Sequence, residues 1–284
     1  MNKLPRDKRI QIIGQLVEGM SLRAITRTTG VSINTVTALL VTAGKTCIDY
    51  HDQHVRGLKS RRVQCDEISA FNYCKQKNVA TAKAAPREAG DIWTWTAIDA
   101  DHKLIISYSV GGRDASSALM FMKDVGERLA NRVQMTTDGH KAYLDAVEDV
   151  FGAAIDYAML VKIYGDAPGA GRYSPGECIR AELRRVEGRP DPAHISTSYA
   201  ERSDLTIRMH TRRFTRLANA FSKTAENHEY AVALHCMAYN FARIHGTLRC
   251  SPAMAAGVTT KLWDISDIVT MIEEWENNQR AGSD

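Results

Sequence analysis

Val133-Gln-Met-Thr-Thr-Asp-Gly139 is the stretch from which the rest of the chain is read. Apolar and β-favouring residues run into one carboxylate, and a glycine ends the run. From His140 to Val150 the pattern turns helical, with Ala142, Tyr143, Ala146, Val147 and Val150 at helical spacing. A carboxylate at the end of a buried strand sits on a rigid support and faces a cleft, which suits a metal ligand. The plainer reading of Asp138 is a cap for the following helix.

Working outward, Val63 to Ile68 reads as a strand ending in the acids Asp66 and Glu67. Ile92 to Ile98 and Leu104 to Val110 read as strands joined by a turn at Asp99-Ala-Asp-His102. Asp99 and Asp101 are then turn formers. Asp114 can cap a helix to Ala130 that buries Leu119, Phe121, Met122, Val125 and Leu129. After the central stretch and its helix, Ala153 to Leu160 is another strand. Ser196 to Arg216 returns to helix. Three strands, helix, strand, helix, strand, helix is the order of a ribonuclease-H-like α/β fold, in which acids stand on the first strand, at the end of the fourth strand and on a late helix. Asp66, Asp138 and Glu201 occupy those places. Neighbours on a strand face opposite sides, so only one of Asp66 and Glu67 is expected in the site.

Ahead of this core lie three short helical segments. Asp7 to Met20 is amphipathic through Ile10, Ile13, Leu16 and Val17. Ser21 can cap a second helix, Gly30 supplies a tight turn, and Ser32 caps a third helix burying Val36, Leu39 and Leu40. This is a helix-turn-helix pattern, with Thr26 small enough for close packing. Asn34, Thr35 and Thr37, next to Ser32, are placed for base edges, and Arg23 and Arg27 for phosphates. The organisation expected is a helix-turn-helix domain over 1–45, a basic linker over 46–61, a catalytic core over 62–225 and a C-terminal helical region over 226–284. A Gly- and Pro-rich insertion or loop occupies 161–195.

The chain has 284 residues, 44% of them hydrophobic, enough for a large domain with a small one attached. No apolar run approaches the roughly 20 residues of a membrane span, and the N-terminus lacks a signal-peptide core, so a soluble cytosolic protein is expected. Six cysteines include no Cys-x-x-Cys pair and read as reduced thiols. Cys47, His51 and His54 could share a helix face, but a fourth zinc ligand at a familiar spacing is missing. The net charge of +4 is unevenly distributed. Arg56, Lys59, Arg61 and Arg62 form an acid-free basic stretch, and residues 201–223 hold six basic side chains against two acidic ones. Such stripes fit a nucleic-acid groove, with Arg61 and Arg62 as further candidate contacts. On a helix at about 100° per residue, Glu201, Arg208 and Arg212 line one side, with Ile207, Phe214, Leu217 and Phe221 opposite. Arg208 and Arg212 thus join the candidate DNA contacts.

Several linked motifs resemble the insertion-sequence-one family of transposases. They are Val63-Gln-Cys-Asp-Glu-Ile-Ser-Ala-Phe71, Asp91-Ile-Trp-Thr-Trp-Thr-Ala-Ile-Asp99, Thr136-Thr-Asp-Gly-His140, Ile195 through Arg216, and Tyr239 through Gly257. The resemblance runs in order through nearly the whole chain. It implies a DNA transposase with Asp66, Asp138 and Glu201 as the catalytic acidic triad. Two Mg²⁺ ions, or Mn²⁺ in their place, would be held by those acids. It also implies double-stranded DNA partners, namely terminal inverted repeats and target, and a homo-oligomeric synaptic complex. The chemistry agrees: phosphodiester cleavage and strand transfer use two hard cations about 4 Å apart, which carboxylate oxygens hold well. The chain departs from the family pattern at Ser69, where tryptophan is usual, and at Ala200, Ser203, Asp204, Gly246 and Cys250. A tryptophan missing from a core would cost about 3–5 kcal/mol. The alternative reading is a non-catalytic DNA-binding relic or regulator of transposition, and a third is a nuclease without strand transfer. His140 could contact DNA, order water or simply stand at the surface or helix start, and His245 could pack or touch phosphate.

Overall fold

The computed structural model describes residues 4–165, 177–215 and 221–281. Its centre is a six-stranded sheet in the order β3-β2-β1-β4-β5-β6. The strands are β1 (Arg62–Asn72), β2 (Gly90–Asp99), β3 (Ile105–Gly111), β4 (Gln134–Thr137), β5 (Asp156–Gly165) and β6 (Glu177–Glu187). β1, β2 and β3 pair antiparallel, β1 and β5 flank β4 in parallel, and β6 runs antiparallel to β5. Strands one to five thus have the ribonuclease-H-like order and directions, with β6 added at the edge. Helices α4 (Ala115–Arg128) and α5 (Ala142–Phe151) supply the connections around β4.

Alternation along β1 decides what each side of the sheet does. Val63 and Cys65 enter the large core with Phe121, Val125 and Tyr143 of α4 and α5. Ile68 enters a second cluster on the other face with Ile207 of α6 (Ser198–His210) and Val232 of α7 (Ala225–Met237). Gln64, Asp66 and Ile68 are therefore the α6-facing set. Asp114 caps α4 as the sequence predicts, its Oδ1 accepting from Ser117 N at 2.9 Å.

The N-terminal helices are α1 (Arg6–Val17), α2 (Leu22–Thr29) and α3 (Ile33–His54). Ser21 and Ser32 cap α2 and α3 through bonds from Ala24 N and Thr35 N, each 3.2 Å. The chain bends by 116° between α2 and α3, and Gly30 sits there at φ +72°, a conformation glycine adopts without strain. No single described helix is long and apolar enough to cross a membrane.

Two expected boundaries change. Residues 46–54 are not linker: α3 continues to His54, and its buried positions Val36, Leu39, Leu40, Ala43, Cys47 and His51 keep helical spacing. The polar residues between them fall on other faces, which is why the stretch reads as mixed. Nor is 161–195 a loop throughout, because β5 extends to Gly165 and β6 covers Glu177–Glu187. Residues 166–176 lie outside those described. The N-terminal helices also share one apolar core with α7, α9 (Ile265–Ala281) and the sheet. Buried Arg9 of α1 pairs with Glu273 and Glu276 of α9. After α7 comes a π-helical turn at Ala238–Ala242, then short α8 (Pro252–Ala255). The zinc reading of Cys47, His51 and His54 finds no shared site. Cys47 is in the core, His51 Nε2 lies 3.3 Å from Ile105 O, and His54 stacks on Tyr50.

Candidate metal centre

Register builds the site. Gln64 pairs with Thr136 across the parallel β1–β4 ladder, so two residues further along each strand Asp66 stands opposite Asp138. Adjacent strands lie about 4.8 Å apart, so a pair facing one way brings its carboxylates together. Asp138 follows the last residue of β4, and its Oδ1 accepts from His140 N at 2.9 Å. It does not cap α5, which starts four residues later at Ala142.

Glu67 joins them. One carboxylate oxygen from each of Asp66, Glu67 and Asp138 lies within 4.8 Å of the other two, the group of this kind found among the described residues. The expectation that only one of Asp66 and Glu67 could reach the site is therefore overturned. Asp138 projects beyond the end of the ladder, where it is reached from both faces of the sheet. Glu67 Oε1 accepts from Arg113 Nε at 2.8 Å, and Oε2 accepts from the Tyr143 hydroxyl at 3.1 Å. Arg113 Nη2 also lies 3.9 Å from Asp138 Oδ2, and its guanidinium covers the Trp93 ring at 4.5 Å. Burial pushes the Glu67 carboxyl up to about 7, with the Asp138 charge adding to it and Arg113 opposing. Burial likewise raises Asp66 to about 6, helped by Asp138 and Glu201.

Glu201, the third predicted acid, is not part of this group, though its charge reaches Asp66. It lies in the first turn of α6, hydrogen-bonded to Thr197 and ion-paired with Lys162 of β5. What sets its position is Gln64, whose Oε1 accepts from Tyr199 N at 2.8 Å and Ala200 N at 3.2 Å. A strand residue thus caps α6, since Thr197 makes no side-chain cap bond. Asp204, one turn beyond Glu201, is buried against Asp66 and accepts from Thr96 Oγ1 at 3.1 Å. Burial and the Asp66 charge hold its carboxyl well above the usual range. Carboxylate oxygens without a sulfur or imidazole ligand suit a hard divalent cation such as Mg²⁺ or Mn²⁺. Asp66, Glu67 and Asp138 fit that requirement by distance.

The expected DNA contacts divide. Arg23, Arg27, Ser32, Asn34 and Thr35 are exposed on α2 and the start of α3, and Thr37 is half-buried, its hydroxyl donating to Ile33 O at 2.8 Å. Arg61 is exposed. Arg62 is not available: it pairs with Asp101 in the hairpin turn and lies 2.8 Å from His194 Nδ1. Arg208 is half-buried on α6 near Asp204. Arg212 is exposed but off the helix, because α6 ends at His210 and a 3-10 turn begins at Arg212. The single-line projection therefore holds for Glu201 and Arg208 and fails for Arg212 and Phe214. Leu217 lies outside the described residues. Ser69 is half-buried and faces Trp93 across the β1–β2 ladder in an open groove, so its small side chain leaves no sealed core cavity.

Gln64, Arg113, Tyr143 and Lys162 were missed from the sequence. Gln64 alone left a signal, as a polar residue at an inward position of a strand. His140 packs on Trp95 and Tyr143, and its Nε2 is buried without a partner among the described residues.

No protein-family model and no curated protein matches this chain. Among solved structures, the piggyBac transposase synaptic complex with hairpin DNA gives a TM-score of 0.43 at 9% identity, over 95% of this chain and 71% of that one. The Mos1 mariner paired-end complex with Mn gives 0.28 at 13% identity, over 84% and 78%. The Mos1 strand transfer complex gives 0.28 at 14% identity, over 84% and 79%. The ribonuclease-H-like assignment stands on strand order and register, independently of these superpositions.

Proposed function

We propose that this chain is a DNA transposase of the acidic-triad type, similar to the insertion-sequence-one family. It would bind the ends of an insertion sequence, cleave there and transfer the 3′-hydroxyl to target DNA. The observation that carries the reading is the convergence of Asp66 and Glu67, within β1, with Asp138, just past the end of β4; Glu201, on α6, is outside that group but near enough for its charge to raise the Asp66 carboxyl. Asp66, Asp138 and Glu201 are the catalytic and metal-holding acids of this reading, and Glu67 is a fourth carboxylate.

Two Mg²⁺ ions, or Mn²⁺, are the cofactor; when bound they supply Lewis acidity that activates an oxygen nucleophile and stabilises the leaving oxygen. The chain's own residues supply placement. Register sets Asp66 against Asp138, Arg113 and Tyr143 fix Glu67, and Gln64 fixes the turn bearing Glu201. The exposed side chains of α2 and early α3 would read terminal inverted repeats, with Arg61, Arg208 and Arg212 serving the DNA backbone. A homo-oligomeric synaptic complex in the bacterial cytosol belongs to the same reading.

The test uses purified full-length protein, Mg²⁺ or Mn²⁺, and labelled duplexes carrying the sequences that flank its gene. Nicking and joined products from the parent, with a loss of 10³-fold or more in Asp138→Asn, is the expected result. Binding without cleavage by either protein would sink the enzyme reading and leave a DNA-binding regulator.

A further inference from the structure

Helix α6 presents two different stripes. Glu201, Asp204 and Arg208, spaced by three and four, belong to the acidic side. Tyr199, Arg202, Ser203, Thr206 and His210, spaced the same way, line a separate cavity of about 260 Å³. Its other walls come from the β2–β3 turn, at Lys103, and from the segment after α7, at Arg243 and His245.

The chemistry of this cavity is one-sided. Lys103, Arg202 and Arg243 line it, and no carboxylate does. Lys103 occupies a turn position with φ +59° and is buried, its ammonium bonded to Ala100 O and held 3.3 Å from the Tyr199 ring centroid. Arg243 lies 3.3 Å from Glu18 at the rim, while Arg202 is exposed and has no ion pair among the described residues. Two buried polar atoms at its wall, Ser203 Oγ and His245 Nδ1, have no hydrogen-bond partner among the described residues. Ser203 is only 3% exposed. A buried hydroxyl without a partner is costly, and such atoms are normally satisfied by a ligand or water. Glu18 engages only Arg243 and His210, and the remaining cations, Arg202 and Lys103, beside unfilled polar atoms match a tetrahedral oxyanion with several acceptor oxygens.

We propose that this cavity is a phosphate-binding site, in which Arg202, Lys103, Ser203 and His245 hold one phosphate group behind the helix that carries Glu201. The source it fits is a backbone phosphate of DNA, a step that rests on the transposase reading. Free phosphate offers the same chemistry. An occupied cavity would fix α6 from the side opposite the acids and register the DNA against them.

The experiment uses the full chain as parent, Arg202→Gln, Ser203→Ala, and the charge-matched control Lys123→Gln on the exposed face of α4, all checked for native circular dichroism. Inorganic phosphate is titrated against each protein by phosphorus NMR at constant ionic strength. Saturable broadening is expected in the parent and the control, weakened at least tenfold in Arg202→Gln and weakened in Ser203→Ala. In parallel, duplex binding is followed against salt. If a DNA phosphate occupies the site, the slope of log affinity on log salt is shallower in Arg202→Gln than in Lys123→Gln by about 0.9, one phosphate contact. A phosphate effect with equal slopes assigns the cavity to the free anion. No broadening in the parent together with equal slopes overturns the proposal. Neither readout needs cleavage, so a failure of the transposase reading leaves this test intact.

Discussion

Gln64→Met removes the acceptor that holds the start of α6 while keeping side-chain length. In the parent, one buried amide oxygen takes both Tyr199 N and Ala200 N, and Ala200 is fully buried. Methionine leaves both amides without a protein partner. Loss of a cap costs about 0.5–2 kcal/mol, and a buried donor left unsatisfied about 1–3 kcal/mol. The two overlap because they describe the same bonds, so the expected loss is about 2 kcal/mol. Urea unfolding followed by circular dichroism would show it as a lower midpoint at unchanged slope. Because Glu201 directly follows Ala200, a shifted first turn also misplaces that carboxylate, and on the proposed function a displacement near 1 Å would lower cleavage by about 10²-fold. A stability change below about 0.5 kcal/mol, with cleavage equal to the parent, would refute the role given to Gln64.

Two further substitutions test other parts of the structure. A Cβ added at Gly44 would stand 2.2 Å from Tyr230 Cβ, where α3 crosses α7. Alanine is the better helix former by about 1 kcal/mol, yet overpacking costs about 1–3 kcal/mol. Gly44→Ala is therefore expected to be destabilising, and a raised urea midpoint would contradict that packing. For Glu67, burial raises the folded carboxyl from 4.5 to about 7, so the native state holds a proton that the unfolded chain releases. Its contribution is complete below the unfolded value and is lost as pH rises through about 7. Without divalent metal, stability should fall between about pH 4.5 and 7, and Glu67→Gln should flatten that fall. Asp66, raised to about 6, acts in the same direction. Mg²⁺ binding, which needs the ionised carboxylates, should strengthen over the same window. An identical pH slope in parent and Glu67→Gln would remove Glu67 from the account.

Much of this arrangement follows from local pattern. Alternation in Val133 to Thr137 and Val63 to Ile68, the caps Ser21, Ser32 and Asp114, and the turn glycine Gly30 are fixed by neighbours within about four residues, a range the sequence displays directly. Element order then gives the ribonuclease-H-like sheet and puts Asp66 on the first strand and Asp138 at the end of the fourth, although β1 runs on past the acids to Asn72. The stripe from Val36 to His51 is also present in the sequence, though its polar interruptions disguise the last part of α3, from Thr46 on, as a linker. Other features depend on partners far along the chain. Gln64 finds its amides 135 and 136 residues away, Tyr143 meets Glu67 across 76, and Arg62 pairs with Asp101 across 39. Strand periodicity alone separates Glu67 from Asp66. Only the parallel register, which carries Asp138 past the end of the ladder, brings all three carboxylates together, because it decides where a side chain's reach ends as well as which way it faces.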